Sequence, residues 1–179
     1  AAGLGSTAGG VTVASGATLD LKDVTVGAES VTLNGGTLAT STGTSSLSGT
    51  ISLGANSTIS VAGTQLTLSG VISETSAFGI TKSDSGTLSL SATNTYTGAT
   101  TVSGGTLQIS GSGKFGSTGS YGGAISIASG AVLQHSSSSS QTLYGTISGS
   151  GSVVKDTSVT STLSLTSSNT YSGGTFVKA

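Results

Sequence analysis

Six carboxylates, five lysines and one histidine carry whatever acid–base chemistry this 179-residue chain can do. Asp20, Lys22 and Asp23 form the one tight group. Paired carboxylates beside a cation suit glycoside hydrolysis or polysaccharide cleavage. Arginine, the usual partner in such sites, is absent, and the group reads as solvated corner residues. Lys82 with Asp84, and Lys155 with Asp156, recur at matching places. They could repeat a ligand contact, but a turn whose carboxylate is solvated or bonds nearby backbone explains them more simply. His135 stands alone before Ser136–Ser140, and without cysteine it cannot build a metal site. A Ser-His-Asp arrangement would need a nucleophile elbow and an orienting acid, and neither is recognisable. His135 is therefore read as part of an exposed loop. Catalytic, cofactor-binding and metal-ligating residues are all expected to be none.

Asn94-Thr95-Tyr96 and Asn169-Thr170-Tyr171 are the remaining candidates. The corner could contact glycans through its ring. Its recurrence favours a structural role, with Asn bonding backbone carbonyls and Tyr covering apolar residues of an adjacent layer.

The elements that hold these residues are repetitive. Leu88–Val102 returns as Leu163–Val177 at a constant offset of 75 (163 − 88), with nine positions identical and no gap. The shared positions are Leu88/Leu163, Leu90/Leu165, Asn94/Asn169, Tyr96/Tyr171, Gly98/Gly173 and Val102/Val177, with Ser89/Ser164, Thr95/Thr170 and Thr100/Thr175 beside them. A second pair joins Gly9–Leu19 to Gly122–Leu133, offset 114 (125 − 11) beyond the extra Ala124. Leu4–Thr7 likewise echoes Phe115–Thr118. The chain is expected to be one segment over 1–179, with repeat units of about 4–110 and 115–179. The first carries roughly 35–40 extra residues, one or two additional turns placed near Asp20 to Gly49.

Apolar residues at i and i+2 mark short strands throughout, as in Val11/Val13, Val31/Leu33, Ile51/Leu53, Leu66/Leu68, Leu107/Ile109 and Ile125/Ile127. Gly, Asn and Ser clusters such as Asn34–Gly36, Gly54–Asn56 and Ser103–Gly105 separate them as turns. No segment has helical periodicity.

Composition narrows the class. Charged residues make up 6%, Gly numbers 30, and Pro, Cys, Met and Trp are absent. Typical domains are about 25% charged and about 7% Gly. Regularly placed Val, Leu and Ile distinguish the chain from a disordered linker. A net charge of −1 with scattered Lys argues against a nucleic-acid partner, and no apolar run suits a membrane span. A chain that starts at Ala1 is expected to be a piece of something longer.

An antiparallel propeller or sandwich would need hairpin turns and a per-unit aromatic signature. The reading chosen is all-β: a right-handed parallel β-helix of about seven to nine coils and no helices. Coils of roughly 18–25 residues, ~4.8 Å apart, would give a rod on the order of 40 Å long. Its narrow core would admit few aromatics.

The run Lys82–Ile109 closely resembles the autotransporter-associated β-strand repeat, also called the passenger-associated transport repeat. That family's pattern reads K-x-G-x-G-T-L-x-L-S-G-x-N-T-Y-T-G-x-T-T-V-x-x-G-T-L-x-L. Leu4–Leu19 and Phe115–Leu133 are similar to its usual continuation. The second copy departs from it: Lys155–Leu163 is two residues longer than Lys82–Leu88, and Phe176 replaces Thr101. Between Asp20 and Gly79 only the general strand pattern remains.

The resemblance implies a stalk segment of a type V secreted passenger, outside or on the surface of a Gram-negative bacterium. It would present distal regions and assist export by folding outside the cell. No enzyme activity or cofactor is expected. The expected partners are neighbouring coils of the same passenger, with neither nucleic acid nor membrane insertion. The alternatives are an adhesin or self-associating fibre, whose Ser/Thr-rich faces meet cell-surface receptors or further copies, and a carbohydrate-active β-helix. Ice binding would need Thr-x-Thr rows, and Thr42-Gly43-Thr44 and Thr95-Tyr96-Thr97 are too sporadic for that.

Overall fold

Alternation of apolar and small polar residues produces short strands with one face inward. A strand of two to five residues cannot bury that face alone, so successive strands stack. The computed structural model describes residues 4, 9–156 and 160–178, and among them every regular element is a strand.

Three strands make most turns. Coil 1 holds β1 (Val11–Ala14), β2 (Thr18–Asp20) and β3 (Thr25–Val26). Coil 2 holds β4 (Val31–Asn34), β5 (Thr37–Thr40) and β6 (Thr44–Leu47). Coil 3 holds β7 (Ile51–Ala55), β8 (Ser57–Val61) and β9 (Gln65–Leu68). Coil 4 holds β10 (Ile72–Glu74), β11 (Ile80–Ser83) and β12 (Thr87–Leu90). Coil 5 holds β13 (Thr93–Asn94), β14 (Thr100–Val102) and β15 (Thr106–Ile109). Coil 6 has four: β16 (Lys114–Phe115), β17 (Ser120–Tyr121), β18 (Ile125–Ile127) and β19 (Val132–His135). Coil 7 holds β20 (Gln141–Leu143), β21 (Ile147–Gly149) and β22 (Ser152–Lys155). Coil 8 holds β23 (Leu163–Leu165) and β24 (Thr175–Val177).

Each strand pairs in parallel with its counterpart one turn along. The second face is the sheet β2-β5-β8-β11-β14-β18-β21, and the third runs from β3 to β24. The first face is broken into β1-β4-β7-β10, β13-β16 and β17-β20-β23. Val31 lies over Val11, a step of 20 residues (31 − 11), while the steps Leu88 to Leu107 and Leu107 to Leu133 are 19 and 26. The chain is thus a parallel β-solenoid of about eight turns, as the sequence pattern predicts. Coils 1–4 stack as regularly as the rest, although their sequence shows only the general pattern.

Stacking converts the i, i+2 pairs into continuous rows. One runs Val26, Leu47, Leu68, Leu90 and Ile109 down the third face, all 0–3% exposed. Each such side chain contributes roughly 1.5–3 kcal/mol by leaving water.

Several expectations change in the folded chain. His135 is not in an exposed loop: it ends β19, is buried, and continues the row below Ile109. Its parity with Leu133 aims it inward. Gly54-Ala55 is strand, not turn, since β7 runs through it. The Asn34 side chain lies over Gly54, whose Cβ would fall 2.0 Å from Asn34 Oδ1, so a larger residue there would have to displace that amide. The few aromatics that enter the core gather in one place: Tyr96, Phe115 and Tyr121 pack together with centroids 5.0–5.8 Å apart. Coil 6, the longest, spreads its first face over two short strands and makes that room.

The repeats also lie differently from simple superposition. Leu88 is on the third face of coil 4 but Leu163 on the first face of coil 8. Val11 is on the first face of coil 1, whereas Ile125 is on the second face of coil 6. Each repeat therefore advances by whole coils plus one face. The two offsets differ by 39 residues (114 − 75), two coils' worth.

Candidate functional site

The chemistry-bearing side chains gather at the corners, where strands hand over from one face to the next. Asp23 (φ 53°) and Asp84 (φ 66°) turn the second-to-third-face corner in the left-handed region, which Asp tolerates because it bonds locally. The Asp20 carboxylate accepts from the Ser41 N–H at 2.9 Å and the Ser41 hydroxyl at 2.7 Å, with Lys22 at 3.6 Å. The hydroxyl bond from Ser41 holds its pKa below the ordinary value. Asp23 accepts from the Thr44 N–H at 3.1 Å. The suspected hydrolytic trio is thus engaged in tying coil 1 to coil 2.

Lys82 occupies an inward position between Ile59 and Val102 and is fully buried. Its stem lies in the apolar row, and its ammonium donates to the carbonyls of Ser83 (2.9 Å), Asp84 (2.7 Å) and Gly104 (3.0 Å). Burial pulls its pKa down to about 8, and the Asp84 charge opposes the shift. The Asp84 carboxylate takes hydroxyls from Ser60 and Ser83 at 2.6 and 3.0 Å, the Ser60 bond being the main reason its pKa falls. Lys155 is half-buried on the third face and reaches the Asp156 carbonyl at 3.3 Å. The two lysine corners therefore face different directions and do not repeat one contact along the rod. Thr157–Val159, in the second corner, and Gly5–Thr7, in the terminal echo, lie outside the described residues.

Asn94 is buried and does more than bond carbonyls. Its Oδ1 accepts from the Ile72 N–H at 3.0 Å and its Nδ2 donates to the Ala92 carbonyl at 3.0 Å. It splices the first face between β10 and β13, beside the single backbone bond from the Thr95 N–H to the Ile72 carbonyl at 2.9 Å. Asn169 repeats the bond to the Ile147 N–H at 2.8 Å. Gln141, which sequence reasoning missed, makes the next splice. Its Oε1 accepts from the Phe115 N–H at 2.7 Å, and its Nε2 donates to the carbonyls of Phe115 and Gly119 at 3.1 and 3.0 Å. The available signal was parity: Gln141 and Leu143 share the inward face.

Tyr96 is fully buried, its hydroxyl 2.9 Å from Thr100 Oγ1, which lies 2.8 Å from the Tyr121 hydroxyl. Tyr121 in turn donates to the Gly98 carbonyl. Burial raises Tyr121 to about 12 and Tyr96 well above its ordinary value. Gly98 is required by close approach, since a Cβ would fall 2.2 Å from the Phe78 carbonyl carbon. Glu74 closes the same corner, accepting from the N–H and hydroxyl of Thr97. Leu88, Leu90 and Val102 are wholly buried. In the second copy Leu163, Leu165, Asn169, Tyr171 and Gly173 are half-buried, and Val177 is 78% exposed.

Among the described residues no group of three or more His, Cys, Asp or Glu could hold a metal ion. The Asp20, Asp23, Asp84 and Glu74 carboxylates, the Asn94 and Gln141 amides and the buried Lys82 are instead engaged by backbone or hydroxyl partners, whereas the buried Glu29 keeps one carboxylate oxygen without a hydrogen bond among the described residues.

Stacked parallel coils joined by such corners define a structural repeat protein of the β-solenoid class. The family model of the passenger-associated transport repeat, an autotransporter passenger repeat, matches residues 80–109 and 160–179. The family implies a secreted or surface location in Gram-negative bacteria, and its repeats are structural units rather than catalytic ones. No curated protein and no solved structure matches the chain.

Proposed function

We propose that this solenoid is a stalk segment of an autotransporter passenger, which holds more distal regions away from the cell and assists export by winding up outside it. The carrying observation is the unbroken coil-on-coil ladder from β3 to β24 along the third face, with one apolar row beneath most of it. Each new coil finds a preformed strand edge and apolar surface, so winding proceeds by nearest-neighbour addition. Low charge and absence of cysteine suit passage of an extended chain through a narrow pore.

The test uses the full-length passenger on cells. Removing residues 88–106 joins Thr87 to Leu107, one register step along the third face. A distal epitope should still reach the surface. Leu90→Asp, which puts a charge into the buried row, should reduce surface display several-fold, measured by antibody labelling of intact cells. Undiminished display by Leu90→Asp would refute the proposal.

A further inference from the structure

Exposed Thr97, Ser120, Gly122 and Tyr144, backed by the buried Tyr96 and Tyr121, line a shallow cleft of about 270 Å³ at the first-to-second-face corner, just below the range of ordinary ligand pockets. Its register follows from the ladder. Tyr121 pairs with Leu143, so Gly122 and Tyr144 project outward on adjacent coils. Tyr144 is 59% exposed, an unusual place for a large ring in a wall of Ser, Thr and Gly. Its ring lies on Gly122: a Cβ there would be 2.2 Å from Tyr144 Cε2. Gly123 is equally unable to carry a side chain, since its Cβ would meet the Tyr121 ring and the Gly98 carbonyl. The glycine floor therefore sets the height of the ring and fixes its seat before any ligand arrives.

The other wall is polar and neutral. Thr97 and Ser120 line it with exposed side chains, and Thr97 is pinned by Glu74, whose carboxylate is turned to the Thr97 N–H and hydroxyl. None of the lining residues bears a charge at neutral pH, the Tyr121 hydroxyl being raised to about 12 by burial. An aromatic wall facing hydroxyls and backbone, without cation or carboxylate in the lining, matches a neutral polyhydroxylated ring. Its C–H face packs on Tyr144 while its hydroxyls exchange hydrogen bonds with Thr97 and Ser120. No cation lines the cleft to meet an anionic ligand.

We infer that the Tyr144–Thr97–Ser120 cleft is a weak binding site for a neutral saccharide unit. This does not depend on the stalk proposal, since a rod can carry such a site whatever else it does. The test is an NMR titration of the chain with neutral hexasaccharides of glucose, galactose and N-acetylglucosamine, and with a sulfated heparin hexasaccharide as the acidic counterpart. At millimolar concentration, at least one neutral probe should shift the amides of Thr97, Ser120, Gly122 and Tyr144, while the sulfated probe should not. Tyr144→Ala, at an exposed position the fold tolerates, should weaken that binding about tenfold or more, and Ser120→Ala severalfold. Absence of shifts with every neutral probe, equal response to the sulfated one, or unchanged binding by Tyr144→Ala would each overturn the inference.

Discussion

Residues 88–102 and 163–177 are alike in nine of fifteen positions, yet they live in different surroundings. The first copy is covered by coils on both sides. Leu88 is paired with Leu66 below and Leu107 above, and is wholly buried. In the second copy, Leu163, in the last described coil, rests on Gln141 of coil 7 and is half-buried. Even so, two bonds recur: Asn94 to Ile72 on the adjoining coil becomes Asn169 to Ile147, and the Tyr96–Thr100 hydroxyl pair within the corner becomes Tyr171–Thr175. The motif thus brings part of its corner geometry with it, while burial comes from neighbours. The copies also stand one face apart around the rod, so the motif is indifferent to which face it serves.

Substitutions at paired positions break or sharpen this comparison. The largest effect is expected from Leu88→Ala, a cost of ~2–5 kcal/mol by urea denaturation, with Leu163→Ala costing roughly half of that or less. Equal costs would mean that neighbouring coils add little to the motif. Next come the amides. Asn94→Ala should cost ~1–3 kcal/mol because it leaves the Ile72 N–H buried without its partner, and Asn169→Ala should cost under ~1 kcal/mol. Lys82→Met tests the corner that the copies do not share. It should cost ~1–2 kcal/mol by stranding the Ser83, Asp84 and Gly104 carbonyls.

The smallest effect lies between the copies, at His135. Among the described residues neither ring nitrogen makes a well-formed hydrogen bond, and burial first, then the Lys155 charge, lowers its pKa below the ordinary 6.5 against weaker opposing effects of nearby backbone and Asp156. Because the unfolded chain takes up this proton more readily, stability should fall as pH drops below 6.5 towards the lower folded value. Above 6.5 this contribution is fully present. His135→Val should flatten the urea midpoint measured against pH over that interval and raise it slightly. An unchanged slope would show that other groups dominate.

Much of the fold was legible because strand periodicity is two: wherever Leu, Val or Ile alternates with Ser or Thr, the inward face is marked, as at Leu66/Leu68 and Leu88/Leu90. Polar residues at inward parity were not legible. Lys82 and His135 look like surface residues, and only a row of stacked neighbours shows that they continue Ile59 and Ile109. Asn94 could be placed at a corner from its repeat, but its bond to Ile72 spans 22 residues and depends on coil length. Tyr144 could be placed outward from Leu143; its seat on Gly122 could not be foreseen, because that contact joins two coils.

The sequence by itself marked most strand positions and the two recurrent corners and favoured parallel stacking over an antiparallel meander, since these follow from local alternation and from repetition. The tertiary structure alone decided the phase: how many residues each coil takes, which face each copy meets, and hence which polar groups are enclosed and which ring is left in solvent. Coil length is set by packing between layers, where a residue or two gained at a corner rotates everything that follows, and no single segment contains that sum.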